Sequence, residues 1–105
     1  MTEINFDNVA LTQSLVRCPS ITPKDEGALK IVTDHLETIG FNCTRLTFKE
    51  EGTDNVDNLF ATIGSSGRHL LFAGHTDVVP PGNEKSWTYP PFSAIIEDGK
   101  IFGRG

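Results

Sequence analysis

The sequence predicts an α/β fold with a mixed sheet, and three observations carry that expectation. Two helical patterns come first and strand-like runs follow, the order of a layered mixed architecture. The run Leu70-Leu71-Phe72-Ala73 contains no polar residue, the pattern of a strand covered on both faces in a helix-flanked sheet. Residues 94–102, AIIEDGKIF, place two apolar pieces on either side of Asp98-Gly99, which supplies the positive φ angles of a tight hairpin.

The first element is a short helix within residues 4–16. Phe6, Val9, Ala10, Leu15 and Val16 are its apolar positions, Asp7 stands near its start, and it ends ahead of Pro19. The second helix is better punctuated. Thr22 is placed to cap it, Pro23 suits its first turn, and Asp25 and Glu26 lie at the positive end of its dipole. Ala28, Ile31, Val32, Leu36 and Ile39 form one stripe, and Gly40 takes the left-handed position that ends it.

From Phe41 the period changes. Residues 42–48 predict a strand with Leu46 and Phe48 on one side, and 49–58, KEEGTDNVDN, a polar loop. Residues 58–63 predict a second strand, closed by the turn Gly64-Ser65-Ser66-Gly67, and 69–73 a third. Residues 83–92 are irregular but rich in aromatic side chains, and the hairpin follows them. No repeat, low-complexity tract or linker interrupts the chain.

Composition bounds the possibilities. The 105 residues suit one modest domain, and 37% hydrophobic with 22% charged residues is an ordinary globular balance. A net charge of −5 with scattered Lys and Arg offers no basic face, so neither nucleic acid nor a membrane surface is an expected partner. No apolar stretch nears the roughly 20 residues of a membrane span. The opening MTEINFDNVA is not the pattern of a secretory signal. Cys18 and Cys43 fit two reduced thiols better than a disulfide framework or a zinc knuckle. The expected location is the cytoplasm.

Chemistry concentrates in FAGHTDVVPPG, residues 72–82. At the carboxyl end of a buried strand, His75 would point into the crevice where open α/β sheets bind ligands. One imidazole nitrogen can take a metal while a carboxylate holds the other, and Asp77, two residues on, is placed to do so. Pro80 and Pro81 stiffen the loop. A His two residues from an Asp is also a common surface pattern, and on the residues alone both readings stand. His35 falls in the stripe of the second helix and His69 at a strand start, both structural positions, and Trp87, Tyr89 and Phe92 read as a packed loop. A catalytic zinc needs about three protein ligands; these residues supply one good one.

The motifs together resemble a known family. FAGHTDVVPPG, Trp87, PPF at 90–92, DGKI at 98–101 and the closing GRG look like the amino-terminal segment of the succinyl-diaminopimelate desuccinylases. RCPSITP at 17–23 and LETIGF at 36–41 fit the same start. These desuccinylases are a branch of the zinc metallopeptidase superfamily that includes acetylornithine deacetylase, aminoacylases and related carboxypeptidases. The resemblance implies the amino-terminal portion of a zinc-exopeptidase-like α/β/α catalytic domain with a mixed sheet, spanning 1–105. The rest of that domain and an inserted dimerisation domain would lie outside it.

It further implies an amidohydrolase with two zinc ions per subunit, which cobalt can replace, acting on a small molecule as a homodimer. The expected reaction splits N-succinyl-L,L-2,6-diaminopimelate into succinate and L,L-diaminopimelate. His75 matches the zinc-ligating histidine, and Asp77 the catalytic acidic residue that orients it. One departure stands out: in the family GRG is followed by an aspartate bridging both metals, and later by the general base, and neither is in these 105 residues. Another zinc-dependent deacylase or carboxypeptidase of the superfamily, or a non-catalytic fragment, are the alternatives.

Overall fold

The computed structural model describes residues 6–105, and the first turn of the expected helix at 4–16 lies partly outside them. Helix α1 runs Asn8–Val16 and α2 Ala28–Thr38. Strands β1 (Asn42–Phe48) and β2 (Val56–Thr62) form one antiparallel pair, β3 (Ile95–Glu97) and β4 (Lys100–Phe102) another. A single 3-10 turn, Glu84–Ser86, lies between them. The α/β class holds, but the strands form two separate antiparallel pairs and not one mixed sheet.

Local signals account for most boundaries. The Asp7 carboxylate caps α1, accepting from the Ala10 N–H at 2.9 Å. At the end of α2, Gly40 has φ 96°. Its N–H donates to the Glu37 carbonyl and that of Phe41 to the Leu36 carbonyl, both at 3.1 Å, the paired bonds of a glycine-terminated helix. In β1–β2, Phe48 faces Val56 and Asn42 faces Thr62, with Thr47 Oγ1 donating to Asp57 Oδ1 at 2.6 Å. The second strand therefore starts two residues earlier than the polarity of Asp57 and Asn58 predicts. Asp98 and Gly99 have φ values of 50° and 71°, and Glu97 pairs with Lys100 around them.

The second helix starts later than expected. Thr22 does not cap it: the helix begins at Ala28, and Thr22 lies in an extended segment where its N–H donates to the Val78 carbonyl at 3.0 Å, beside the parallel bridge of Ile21 with Val78. Asp25 supplies the side-chain bonds instead: Oδ1 accepts from the Leu29 N–H at 2.9 Å and Oδ2 from the Gly27 N–H at 3.2 Å. His35 packs its ring on Phe6, centroids 4.8 Å apart, in the structural role expected of it. Cys18 and Cys43 are free thiols.

The larger correction concerns residues 69–73. They carry no ladder bond, and Leu70, Leu71 and Phe72 are 80%, 79% and 87% exposed. A strand is a property of a pair, and this run has no partner within reach among the described residues; an apolar crevice separates it from β2. The buried set is correspondingly small: Ala28 and Leu29 in α2, with Ser20, Pro91 and Ala94. The accessible surface is 8345 Å², against about 5800 Å² expected of a compact chain of this mass. The radius of gyration is 16.2 Å, where about 13 Å is usual.

Contacts from α1 and the residue after it join the amino-terminal half to the last hairpin and its approach, among them a bond from Arg17 Nε to the Ser93 carbonyl at 3.4 Å. Gln13 Nε2 donates to the Ala94 carbonyl at 2.9 Å. Gly103 passes Val16 so closely that a Cβ there would lie 2.5 Å from Val16 Cγ1.

Candidate functional site

The loop carrying His75 and Asp77 is held from outside. Ser20, 2% exposed, donates its hydroxyl to the Thr76 carbonyl at 2.7 Å. The Val78 N–H donates to the Ser20 carbonyl at 2.9 Å, completing the Ile21–Val78 bridge with the Thr22 bond. At the loop exit the Trp87 indole Nε1–H donates to the Pro81 carbonyl at 2.9 Å. Its ring lies under the Arg104 guanidinium, 5.0 Å from the centroid. Trp87 thus braces the proline exit, and its ring faces the hairpin side and not the crevice beside His75.

Within the loop, His75 Nδ1 sits 2.9 Å from the Asp77 carbonyl and 3.0 Å from Asp77 Oδ1. A carbonyl and an ionised carboxylate can only accept, so Nδ1 carries the proton and donates to both. Nε2 makes no hydrogen bond among the described residues, which leaves its lone pair free. The expected HxD geometry is therefore present.

Both pKa values move in the direction this pairing requires. The Asp77 carbonyl, then its carboxylate, stabilise the protonated ring and hold the His75 value above its usual 6.5. The Thr22 side chain beside the Asp77 carboxylate, then the His75 ring, hold Asp77 below its usual 3.8. The His75 side chain is 81% exposed, so solvent screens the pair and its contribution to stability is small.

His75 and Asp77 stand on the wall of an open crevice of about 430 Å³, with Leu29, Val56, Phe60 and Phe72 among its apolar lining. A protonated Nδ1 opposite a bare Nε2 is the donor form in which an imidazole binds a divalent ion such as zinc. Among the described residues no group of three or more His, Cys, Asp and Glu side chains could hold a metal ion. They fit one coordination position and do not make a whole metal site. His69 is exposed and outside this pairing.

Ser20 and Thr22 were not singled out as site residues by the sequence reading, in which Thr22 served only as a helix cap. The available signal was the alternation of polar Ser20 and Thr22 around Ile21 between two prolines, the pattern of a short extended segment. Its partner, Val78, is distant in sequence and leaves no local trace.

Residues 71–105 match the family model described as Peptidase family M20/M25/M40, a stretch that includes His75, Asp77, Trp87 and Arg104. The chain is 54% identical over 99 residues to succinyl-diaminopimelate desuccinylase from Bradyrhizobium sp. (strain ORS 278), covering 94% of this chain. The chain is similar to this enzyme over nearly all of its own length. The enzyme of that name from Rhodospirillum centenum is likewise 54% identical over 94% of the chain. That from Methylorubrum extorquens is 52% identical over 92%. The chain spans about a quarter of the length of these relatives: 26%, 26% and 25%. No helix of the described residues is long and apolar enough to cross a membrane.

Proposed function

We propose that these residues form the amino-terminal part of the catalytic domain of a zinc-dependent amidohydrolase acting on N-succinyl-L,L-2,6-diaminopimelate. Water adds across the amide, the C–N bond breaks, and succinate and L,L-diaminopimelate leave. The observation that carries the reading is the identity of 54% to named desuccinylases across 94% of the chain. The His75–Asp77 geometry agrees with it. Zinc bound there supplies Lewis acidity and a water acidic enough to act near neutral pH. Zinc in pairs, cobalt as a substitute, a homodimer and a cytoplasmic location belong to the same proposal.

This chain's own residues have defined parts. His75 offers Nε2 to the metal, and Asp77 holds the proton on Nδ1 and fixes the ring plane. Trp87 restrains the loop exit through the Pro81 carbonyl. Among the described residues no group of three or more His, Cys, Asp and Glu side chains could hold a metal ion, so residues 1–105 by themselves are expected to show no amide hydrolysis.

The test is a substrate panel with the zinc-loaded full-length protein: N-succinyl-L,L-2,6-diaminopimelate, N-acetylornithine and a dipeptide. Preference for the succinylated substrate, abolished by a chelator and restored by zinc, is the expected result. Preference for acetylornithine or the dipeptide would move the protein to another branch of the superfamily, and chelator-insensitive hydrolysis would overturn the metal mechanism.

A further inference from the structure

We infer that Ser20 is a positioning residue for the His75–Asp77 pair: through its hydroxyl, the segment 20–22 sets where the imidazole stands. The inference rests on the reading of His75 as a metal ligand, and it assigns a role to a residue outside the motif. Among the described residues Ser20 is the buried polar one, 2% exposed, and its hydroxyl goes to the carbonyl of Thr76, the residue between His75 and Asp77. At 2.7 Å this is a short, well-formed bond whose donor end is buried. The Val78 N–H and carbonyl then pair with the Ser20 carbonyl and the Thr22 N–H, so the peptide units just before and just after Asp77 are tied to one short segment.

Little else restrains this loop. Residues 69–77 have no strand partner among the described residues; apart from segment 20–22, whose Thr22 side chain also lies beside the Asp77 carboxylate, the next attachment is the Trp87 bond to Pro81, beyond the motif. The His75–Asp77 bonds are internal to the loop: they fix the ring against Asp77 but not the pair against the fold. A metal ligand must meet the other ligands at a set place, so something must tie the pair to the scaffold. Ser20 ties the peptide on which both side chains depend. Without the hydroxyl, the half-buried Thr76 carbonyl loses its donor and with it the tie to the buried Ser20, and it turns to find another partner. That movement would turn the peptide between His75 and Asp77.

The experiment uses the full-length protein with Ser20→Ala, the near-isosteric Ser20→Cys, and Ser14→Ala as control. Ser14 donates to the Ala10 carbonyl within α1, away from the loop. In the metal-free protein, the side-chain 1H–15N spectrum of His75 reports its tautomer. Wild type and Ser14→Ala are expected to show a single form protonated at Nδ1, and Ser20→Ala a mixture. Zinc competition against a chelator is expected to show about 10–100-fold weaker binding for Ser20→Ala. The turnover number falls about 10–100-fold with KM little changed, and Ser20→Cys, a weak donor of similar size, lies between.

If Ser20→Ala lowers thermal stability but leaves tautomer and zinc affinity at wild-type values, Ser20 is merely structural and the inference is overturned. If Ser20→Ala does not fold, Ser20→Cys decides by the same two readings. Should wild type bind no zinc and hydrolyse nothing, the proposed function fails, and the tautomer spectrum still decides whether Ser20 positions the pair.

Discussion

Replacing Gly103 by Ala should loosen the joint between α1 and the last hairpin. The added Cβ would lie 2.5 Å from Val16 Cγ1 and 2.9 Å from the Pro91 carbonyl oxygen. Carbon pairs settle at about 3.5–4.0 Å, so the first contact is about 1 Å too short. Neither neighbour gives way easily. Val16 is β-branched in a helix and has essentially one good rotamer. Pro91 is fully buried, and its carbonyl accepts from the Arg104 N–H at 2.8 Å. Overpacking of this kind costs about 1–3 kcal/mol, and losing the Arg104 bond adds about 1 kcal/mol, giving about 2–4 kcal/mol in all. Native-state hydrogen exchange of α1 and β4 amides in the full-length protein reads this directly, as exchange roughly 30- to 700-fold faster. Adding Val16→Ala to Gly103→Ala should recover at least about 1 kcal/mol of the loss, since the two side chains compete for one space. Unchanged exchange in Gly103→Ala, or additive losses in the double variant, would refute the packing argument.

Asp77→Asn should lower the His75 titration midpoint toward 6.5, because the charge favouring the protonated ring is gone; a midpoint that stays or rises, followed by NMR in metal-free protein, would contradict the pairing. The sign for stability follows. A raised histidine value means that any stabilisation from the pair is fully present below the unfolded value and fades as pH rises through the folded one. Asp77→Ala should weaken zinc by about 10–100-fold and lower turnover, measured by chelator competition and steady-state kinetics. Trp87→Ala removes a half-buried ring and the bond to Pro81, so a loss of about 2–4 kcal/mol in local hydrogen-exchange stability is expected. A selectively raised KM with wild-type stability would place Trp87 in substrate binding instead.

Legibility in the sequence tracked the range of each signal. The run of residues 42–48, the Asp98-Gly99 turn and the Gly40 terminus are local, and the structure has them where the residues place them. Residues 69–73 read as a strand because they are uniformly apolar, but apolarity reports a wish for cover and not the presence of a neighbour. Thr22 read as a cap because Thr before Pro is a good start signal, and a long-range bridge to Val78 took its backbone instead. At the site, the His75–Asp77 pair was legible from spacing alone, since both partners sit on one turn. Ser20 was not, because its acceptor lies on Thr76 and nothing near Ser20 marks it.

The most direct test of the central claim, that His75 ligates the metal of an amidohydrolase, is zinc content and desuccinylation measured together on wild type and His75→Ala in the full-length protein. Wild type is expected to retain zinc through dialysis and to release succinate from N-succinyl-L,L-2,6-diaminopimelate. His75→Ala is expected to lose zinc at the site, and turnover with it, while keeping its fold by circular dichroism. A His75→Ala protein with wild-type zinc content and wild-type turnover would contradict the account.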